Sequence, residues 1–282
     1  MKNLVKISIA LAFIALTLNV FAQNNTYPFE VKISGTGNQS IIFIPGFACS
    51  GEVWDATKNN FEKEYTCYTL TMAGFAGVTP QTDIAFKSWE NGIANYIQKN
   101  KINKPIIIGH SMGGGLAMAL AADHPELISK IIVVDALPCL AALMDPSFKS
   151  KEKNDCGAMV SQIKAATNEQ FYSMQQRSIP QLLADTSKQA LVVGWSVKSD
   201  RTTFAEMYCD FSNTDLREKI ATIKCPSLIL LEPYFVNFQP AITDEFKNLK
   251  TANLQYATKG LHFIMYDDTE WYNKQLISFI KQ

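Results

Sequence analysis

Short apolar runs, separated by segments with helical spacing, recur along the chain. Each run is rich in β-branched residues and bounded by turn residues, which is typical of buried strands. The predicted strands are 41–44, 66–70, 106–108, 130–134, 228–231 and 254–257. Helices are predicted near 53–54, over 86–99, after residue 113 and over 269–280. Strands that alternate with helices predict an α/β fold, with a mostly parallel central sheet flanked by helices.

Upstream of the first apolar run, residues 29–33 alternate between apolar and polar side chains. Gly35-Thr36-Gly37 then supplies residues suited to a turn. The pattern predicts a hairpin in which residues 29–33 pair with the buried strand at 41–44.

The regular alternation stops between residues 137 and 215. This stretch contains no clear strand pattern and is rich in Met, Ala, Gln and aromatic residues. We interpret it as a helical cap inserted into a core formed by residues 23–136 and 216–282. Its apolar side chains either pack a helical subdomain or line an apolar pocket, and both roles stay open.

The first 22 residues have the pattern of a signal peptide. Lys2 and Lys6 precede the apolar run 7–20, and Val20-Phe21-Ala22 fits a small-residue cleavage site. Cleavage there predicts a mature chain that starts at Gln23, exported to the periplasm or the medium. An uncleaved anchor is the alternative, but the apolar run is short for a membrane span, so no stable anchor is expected.

Composition narrows the choice of partners. The chain carries 26 basic and 26 acidic residues, a formal net charge of zero, so no nucleic-acid partner is expected. No metal, nucleotide or flavin motif occurs, so we expect no cofactor. No oligomeric state is predicted.

The six cysteines match no zinc-binding spacing. Cys139 and Cys156 are close enough in sequence to form a disulfide that closes a loop. Export would allow this bond but does not require it. Ordinary buried thiols are the alternative for all six residues.

Gly109-His110-Ser111-Met112-Gly113 lies between the strand at 106–108 and a small-residue helix. A G-x-S-x-G sequence in that setting predicts a nucleophile elbow, a tight turn that exposes the serine hydroxyl at the end of a sheet. The flanking glycines leave room for the strained backbone of Ser111. An incidental serine in a glycine-rich turn is the alternative.

With the elbow in place, the chain resembles the α/β-hydrolase superfamily over nearly all of its mature length. The segments that carry the resemblance are GHSMGG at 109–114, ADHPELISKIIVVDALP at 122–138, TDLREKIATIKCPSLILL at 214–231 and GLHFIMYDD at 260–268. The superfamily places its serine, acid and histidine in that order along the chain.

The resemblance implies roles for single residues. Ser111 would be the nucleophile, and His262 the base that removes its proton and later protonates the leaving group. A purely structural histidine is the alternative for His262. The backbone N–H groups of Phe47 and Met112 would form the oxyanion hole.

The acid departs from the commonest pattern of the superfamily. No aspartate closely follows the strand at 228–231, where the chain has Glu232-Pro233-Tyr234-Phe235. Some relatives carry the acid one strand earlier, which here is Asp135. We favour Asp135, with Glu232 second and Asp244 third; a structural hydrogen-bonding role is the alternative for Asp135.

The sequence therefore predicts an exported serine hydrolase that cleaves carboxylic esters of small to medium, largely apolar substrates. A lactonase would use the same residues on a cyclic ester, and an amidase or peptidase is a further alternative. The remaining hypothesis is a non-catalytic protein that binds an apolar ligand on a hydrolase scaffold.

Overall fold

The structure is a computed structural model that describes residues 27–152 and 154–282. The predicted signal peptide, residues 1–22, and the predicted mature start at Gln23 lie outside the described residues. Within 27–152 and 154–282, no helix has both the length and the apolar character needed to cross a membrane.

Seven strands of the described chain form one sheet. They are β1 Phe29–Ser34, β2 Gln39–Ile44, β3 Tyr65–Met72, β4 Ile106–His110, β5 Lys130–Val134, β6 Ser227–Leu231 and β7 Ala252–Tyr256. Their order across the sheet is β1-β3-β2-β4-β5-β6-β7. Only β1 runs antiparallel to its neighbour, and every other pair is parallel. The predicted α/β fold with a mostly parallel sheet is confirmed.

Helices cover both faces of this sheet. The α-helices of the described residues are α1 Asp55–Lys58, α2 Phe86–Lys99, α3 Met112–Asp123, α4 Gly157–Ala165, α5 Asn168–Ser178, α6 Thr186–Val197, α7 Arg201–Ser212, α8 Gln239–Glu245, α9 Ile264–Asp267 and α10 Thr269–Ile280. The helices predicted over 86–99 and 269–280 have the bounds that their spacing indicated.

Alternate residues of the central strands belong to two separate apolar clusters. Ile42 and Ile44 of β2 pack in the cluster that contains α2 and α3. Ile41 and Phe43 pack on the opposite face, in the cluster that contains α10. Side chains on a strand alternate between faces, so an unbroken apolar run is what a sheet covered on both sides requires.

The predicted hairpin at the start of the chain is wrong. Strand β1 pairs with β3, from Phe29 opposite Met72 to Ser34 opposite Cys67. Strand β2 has β3 on one side and β4 on the other, so it has no free edge for β1.

Two glycines allow the chain to bypass β3 on the way to β2. A Cβ at Gly35 would lie 2.2 Å from the carbonyl oxygen of Tyr65, and one at Gly37 would lie 1.9 Å from that of Glu64. The glycines interpreted as a hairpin turn instead let the backbone cross closely over the start of β3.

Helices α4 to α7 follow one another between β5 and β6. The residues assigned to the cap therefore include a helical segment, and its Phe171 and Phe204 pack with the cluster beneath α2 and α3. The exact division into core and cap stays a prediction.

The suggested Cys139–Cys156 bond is wrong. Cys156 instead forms a disulfide with Cys209, 53 residues further along the chain. Cys139 is a buried free thiol, and its backbone N–H donates to the Glu245 carboxylate at 3.0 Å. The bond joins the start of α4 to α7, which packs against it. The prediction of a Cys139–Cys156 bond rested on proximity in sequence. It failed because Cys139 is buried beside α8, away from the α4–α7 pair.

We expect loss of the Cys156–Cys209 bond to destabilise the protein. The double variant Cys156→Ser/Cys209→Ser should unfold with a free energy lower by about 2–4 kcal/mol, because the bond restricts a long loop of the unfolded chain. Urea denaturation with and without reductant measures this loss. Reductant should weaken the natural protein and leave the double variant unchanged. Full alkylation of Cys156 and Cys209 in the unreduced, unfolded chain would contradict the pairing.

Candidate active site

Ser111 lies in a tight turn between β4 and α3. Its backbone has φ 52° and ψ −122°, and its N–H donates to the carbonyl of Val134 at 2.8 Å. A Cβ at Gly109 would lie 2.0 Å from the carbonyl oxygen of Gly113, and one at Gly113 would lie 2.3 Å from that of Ile44. Both glycines of the motif are therefore required by close backbone contacts, as a nucleophile elbow demands.

The loop after β2 lies directly against this turn. A Cβ on Gly46 would lie 3.2 Å from the Cβ of Ser111 and 2.7 Å from Nδ1 of His110. Next to these contacts are the N–H groups of Phe47 and Met112, the predicted oxyanion donors. Within residues 27–152 and 154–282, neither N–H donates to a protein acceptor. Neither N–H is therefore consumed by a bond within the described residues, which is a requirement for an oxyanion donor.

Asp135 and His262 are brought together from positions 127 residues apart. Oδ2 of Asp135 lies 2.6 Å from Nδ1 of His262, and Oδ1 accepts the backbone N–H of Glu232 at 2.6 Å. Asp135 is only 3% exposed, and its own N–H donates to Leu230 at 2.7 Å. Both carboxylate oxygens are thus occupied, which fixes the orientation of the carboxyl and of the imidazole.

Two carboxylates that we did not single out from the sequence hold the loop of His262. Asp267 Oδ2 accepts the N–H of Leu261 at 2.9 Å, and Asp268 Oδ2 accepts that of Thr258 at 2.9 Å. Asp267 also accepts the N–H groups of Ala184, at 3.1 Å, and of Asp185, which lead into α6. Adjacent aspartates just before a helix were the available signal, since such residues commonly bind nearby backbone N–H groups.

His110 packs against His262 and forms a hydrogen bond with its backbone. Its Nε2 donates to the carbonyl of His262 at 3.0 Å, and the two ring centroids are 4.6 Å apart. Burial and the neighbouring His262 hold the pKa of His110 well below its ordinary value of 6.5. His110 is therefore neutral and positions the backbone of His262.

The charges around His262 favour its protonated form. Burial lowers the pKa of His262, but the hydrogen bond and charge of Asp135, together with the charge of Glu232, outweigh it and raise the pKa above 6.5. Burial, with the adjacent Asp135 carboxylate, raises the pKa of Glu232 to about 7. His262 thus has two carboxyl neighbours in different environments: Asp135 forms a hydrogen bond with it, and Glu232 has a raised pKa.

Ser111, Asp135 and His262 all line one cavity of about 610 Å³. Its other lining is mainly apolar and comes from both the strand ends and the helices between β5 and β6. The lining residues include Phe47, Leu137, Leu140, Met159, Ile163, Met174, Ile179, Val192, Phe204, Phe211, Phe235 and Phe263. Such a cavity suits an apolar ligand presented to a small polar site.

Five predicted site residues line this cavity: Phe47, Ser111, Asp135, Glu232 and His262. Asp244, the third candidate acid, is instead exposed on α8 and pairs with Lys247 at 3.0 Å. In the described chain, Ser111 Oγ and His262 share the cavity without a hydrogen bond between them. Catalytic hydrogen bonds are often long without substrate.

Comparison with known families matches residues 39–269 to the model of the alpha/beta hydrolase fold. The chain belongs to this family. The match includes the elbow, the Asp135–His262 pair and the helices between β5 and β6, so it covers the whole candidate site.

Two solved structures illustrate the shared fold. The enol-lactonase from Burkholderia xenovorans LB400 superposes with a TM-score of 0.74 at 14% identity, over 90% of this chain and 96% of that one. An esterase from Exiguobacterium antarcticum gives 0.72 at 19% identity, with the same coverage of both chains. At this level of identity the similarity shows the fold alone.

Curated relatives by sequence are also distant. The pimeloyl-[acyl-carrier protein] methyl ester esterase of Wigglesworthia glossinidia brevipalpis is 21% identical over 229 residues, 80% of this chain and 86% of the relative. An uncharacterized protein of Mycobacterium tuberculosis is 27% identical over 111 residues, 39% of this chain. The match spans about a third, 32%, of that relative's length.

We expect the ionisation of His262 to respond to its two carboxyl neighbours in the same direction. In Asp135→Asn the pKa of His262 should fall below 6.5, because burial then acts without the opposing hydrogen bond and charge. In Glu232→Gln it should fall less. NMR titration of the imidazole Cε1–H resonances measures both. Asp244→Asn is the matched surface control, and an unchanged His262 pKa in Asp135→Asn would contradict the pairing.

Proposed function

We propose that this protein is a serine hydrolase that cleaves carboxylic esters with a largely apolar acyl or alcohol group. The observation that carries the proposal is the 2.6 Å Asp135–His262 hydrogen bond in the cavity that Ser111 lines. A buried carboxylate that orients a histidine beside an elbow serine is the arrangement that activates a hydroxyl for attack on a carbonyl.

In the first half of the reaction, Ser111 Oγ attacks the ester carbonyl carbon and its proton passes to Nε2 of His262. Nδ1 keeps its proton and donates to Asp135, which stabilises the imidazolium without taking that proton. The N–H groups of Phe47 and Met112 stabilise the oxyanion. The intermediate then collapses, the C–O bond to the alcohol breaks, and His262 returns its proton to the departing oxygen.

The second half repeats these steps with water. His262 removes a proton from a water molecule, whose oxygen attacks the acyl carbon attached to Ser111. The same two N–H groups hold the second oxyanion. When this intermediate collapses, the acid product leaves and Ser111 regains its proton from His262. One ester and one water thus give one acid and one alcohol.

The lining of the cavity supports an apolar, uncharged substrate. Phe204, Phe235 and Met174 are among the side chains that border it. Of the described residues that line the cavity, none is Lys or Arg, and the Asp135 carboxylate adds negative charge. A substrate carboxylate would be buried there with no Lys or Arg to pair with it. The methyl ester esterases among the relatives support an ester as the bond cleaved.

Export forms part of the proposal. The pattern of Lys2, Lys6 and Val20-Phe21-Ala22 supports a cleaved signal peptide. The Cys156–Cys209 disulfide supports an oxidising compartment, where such bonds persist. Intact mass of the protein recovered from the periplasm or medium would give a mature chain that starts at Gln23.

A fluorophosphonate tests the nucleophile directly. Attack by Ser111 Oγ forms a P–O bond and releases fluoride, so we expect one covalent adduct by intact mass. Ser111→Ala should form no adduct, because the other serines lack an oriented base. Ser187→Ala, which removes an exposed hydroxyl on α6, is the matched control and should still react.

An adduct that persists in Ser111→Ala would place the nucleophile elsewhere. A folded natural protein that forms no adduct and cleaves neither p-nitrophenyl butyrate, nor a γ-lactone, nor an anilide would contradict catalysis and favour a ligand-binding protein. Cleavage of the lactone in preference to the open ester would assign the lactonase alternative.

The acid can be assigned by comparing two isosteric variants. Asp135→Asn should lower kcat/KM for p-nitrophenyl butyrate by about 10³–10⁴-fold, because an asparagine holds the wrong tautomer of His262. Glu232→Gln should retain activity within about tenfold, since its backbone N–H still supports Asp135. The reverse pattern, with Glu232→Gln inactive and Asp135→Asn active, would make Glu232 the acid.

A further inference from the structure

Two buried polar side chains face the cavity without a protein partner. Gln175 of α5 is 5% exposed and Ser196 of α6 is 3% exposed, and both line the cavity. Within residues 27–152 and 154–282, neither the Gln175 amide nor the Ser196 hydroxyl forms a hydrogen bond to protein. Neither is among the fully enclosed polar atoms without a partner, so the polar groups of both remain accessible from the cavity and can bond to a ligand there.

Both residues occupy positions where helix packing favours apolar side chains. Gln175 lies between Phe171 and Ile179 at intervals of four residues, and both neighbours are buried. Ser196 lies four residues after Val192, which is also buried. Residues four apart share one face of a helix. The other buried residues of α5 and α6 are all apolar: Phe171, Val192, Val193 and Trp195.

Neighbouring serines show that local acceptors are within reach of this part of the fold. Ser199 Oγ donates to the carbonyl of Trp195 at 3.1 Å and accepts the N–H of Ala76 at 3.0 Å. Ser212, which also lines the cavity, donates to the carbonyl of Cys209 at 2.9 Å. The hydroxyl of Ser196 differs from both because, within the described residues, it has no protein partner.

We propose that Gln175 and Ser196 form a polar subsite that binds a neutral hydrogen-bonding group on the apolar part of the ester substrate. A primary amide and a hydroxyl each donate and accept, so a ligand hydroxyl matches them. The proposal rests on the proposed function, since it names a feature of the substrate that the Ser111 site would cleave.

The surrounding cavity selects a neutral group. Asp135 and Glu232 are the acidic residues of its lining, and no Lys or Arg of the described chain borders it. An anionic group would therefore lie near the Asp135 carboxylate with no Lys or Arg to pair with it. An unsubstituted alkyl chain would leave the Gln175 amide buried without a partner, which costs binding free energy. The subsite thus discriminates against plain fatty acyl esters.

Binding to the Ser111→Ala protein tests the subsite apart from catalysis. The ligands are methyl octanoate and methyl hydroxyoctanoates with the hydroxyl at successive carbons, measured by calorimetry. At one position the hydroxyl should tighten binding about five- to tenfold, as expected for a neutral hydrogen bond at a buried site. Equal or weaker binding of every hydroxy ester would overturn the proposal, as would failure of both series to bind.

Side-chain replacement then locates the effect. Gln175→Met, close in shape and apolar, should abolish the preference and tighten binding of methyl octanoate, because no amide is left unpaired. Ser196→Ala should reduce the preference. Gln176→Met, on the exposed face of the same helix, is the matched control and should change neither. A preference that survives both Gln175→Met and Ser196→Ala would overturn the assignment.

Turnover separates this proposal from the proposed function. Preferential binding of a hydroxy ester, with no hydrolysis by the protein that retains Ser111, would contradict the hydrolase and leave the subsite supported. Hydrolysis of methyl octanoate and the hydroxy esters at equal kcat/KM would support the hydrolase and overturn the subsite.

Discussion

Crowding of the backbone around Ser111 is the constraint on which the site depends. The turn that exposes this serine brings three chain segments so close that a methyl group on Gly46, Gly109 or Gly113 would collide with a neighbour. The same packing sets the loop after β2, which contains Phe47, beside the turn that leads into α3 at Met112. Backbone packing therefore positions Ser111, and the side chains of Asp135 and His262 complete the candidate site.

Much of this site could be predicted because its parts have strong local patterns. The elbow has a strand, a glycine-framed turn and a small-residue helix in sequence, and the last histidine follows the last strand. Asp135 was harder to choose. Its pairing with His262 depends on β5 and β6 being neighbours and on the backbone N–H of Glu232 meeting its carboxylate, which no local pattern encodes.

Two predictions failed because they assumed that residues close in sequence are also in contact in the fold. Residues 29–33 precede β2 directly, yet they pair with β3, because Gly35 and Gly37 carry the backbone past it. Cys156 similarly bonds with Cys209 rather than Cys139. Gln175 escaped notice because a single polar residue in a polar-rich helix is inconspicuous until its burial is known.

Asp267 joins two parts of the molecule with different tasks. One carboxylate oxygen holds the loop of His262 by the N–H of Leu261, and the pair of oxygens also receives the N–H groups of Ala184 and Asp185 at the start of α6. A movement of this end of α6 away from the sheet must therefore either break those bonds or drag the histidine loop with it. The start of α6, a helix whose Val192 and Ser196 line the cavity, is therefore tied through a single carboxylate to the loop that carries His262.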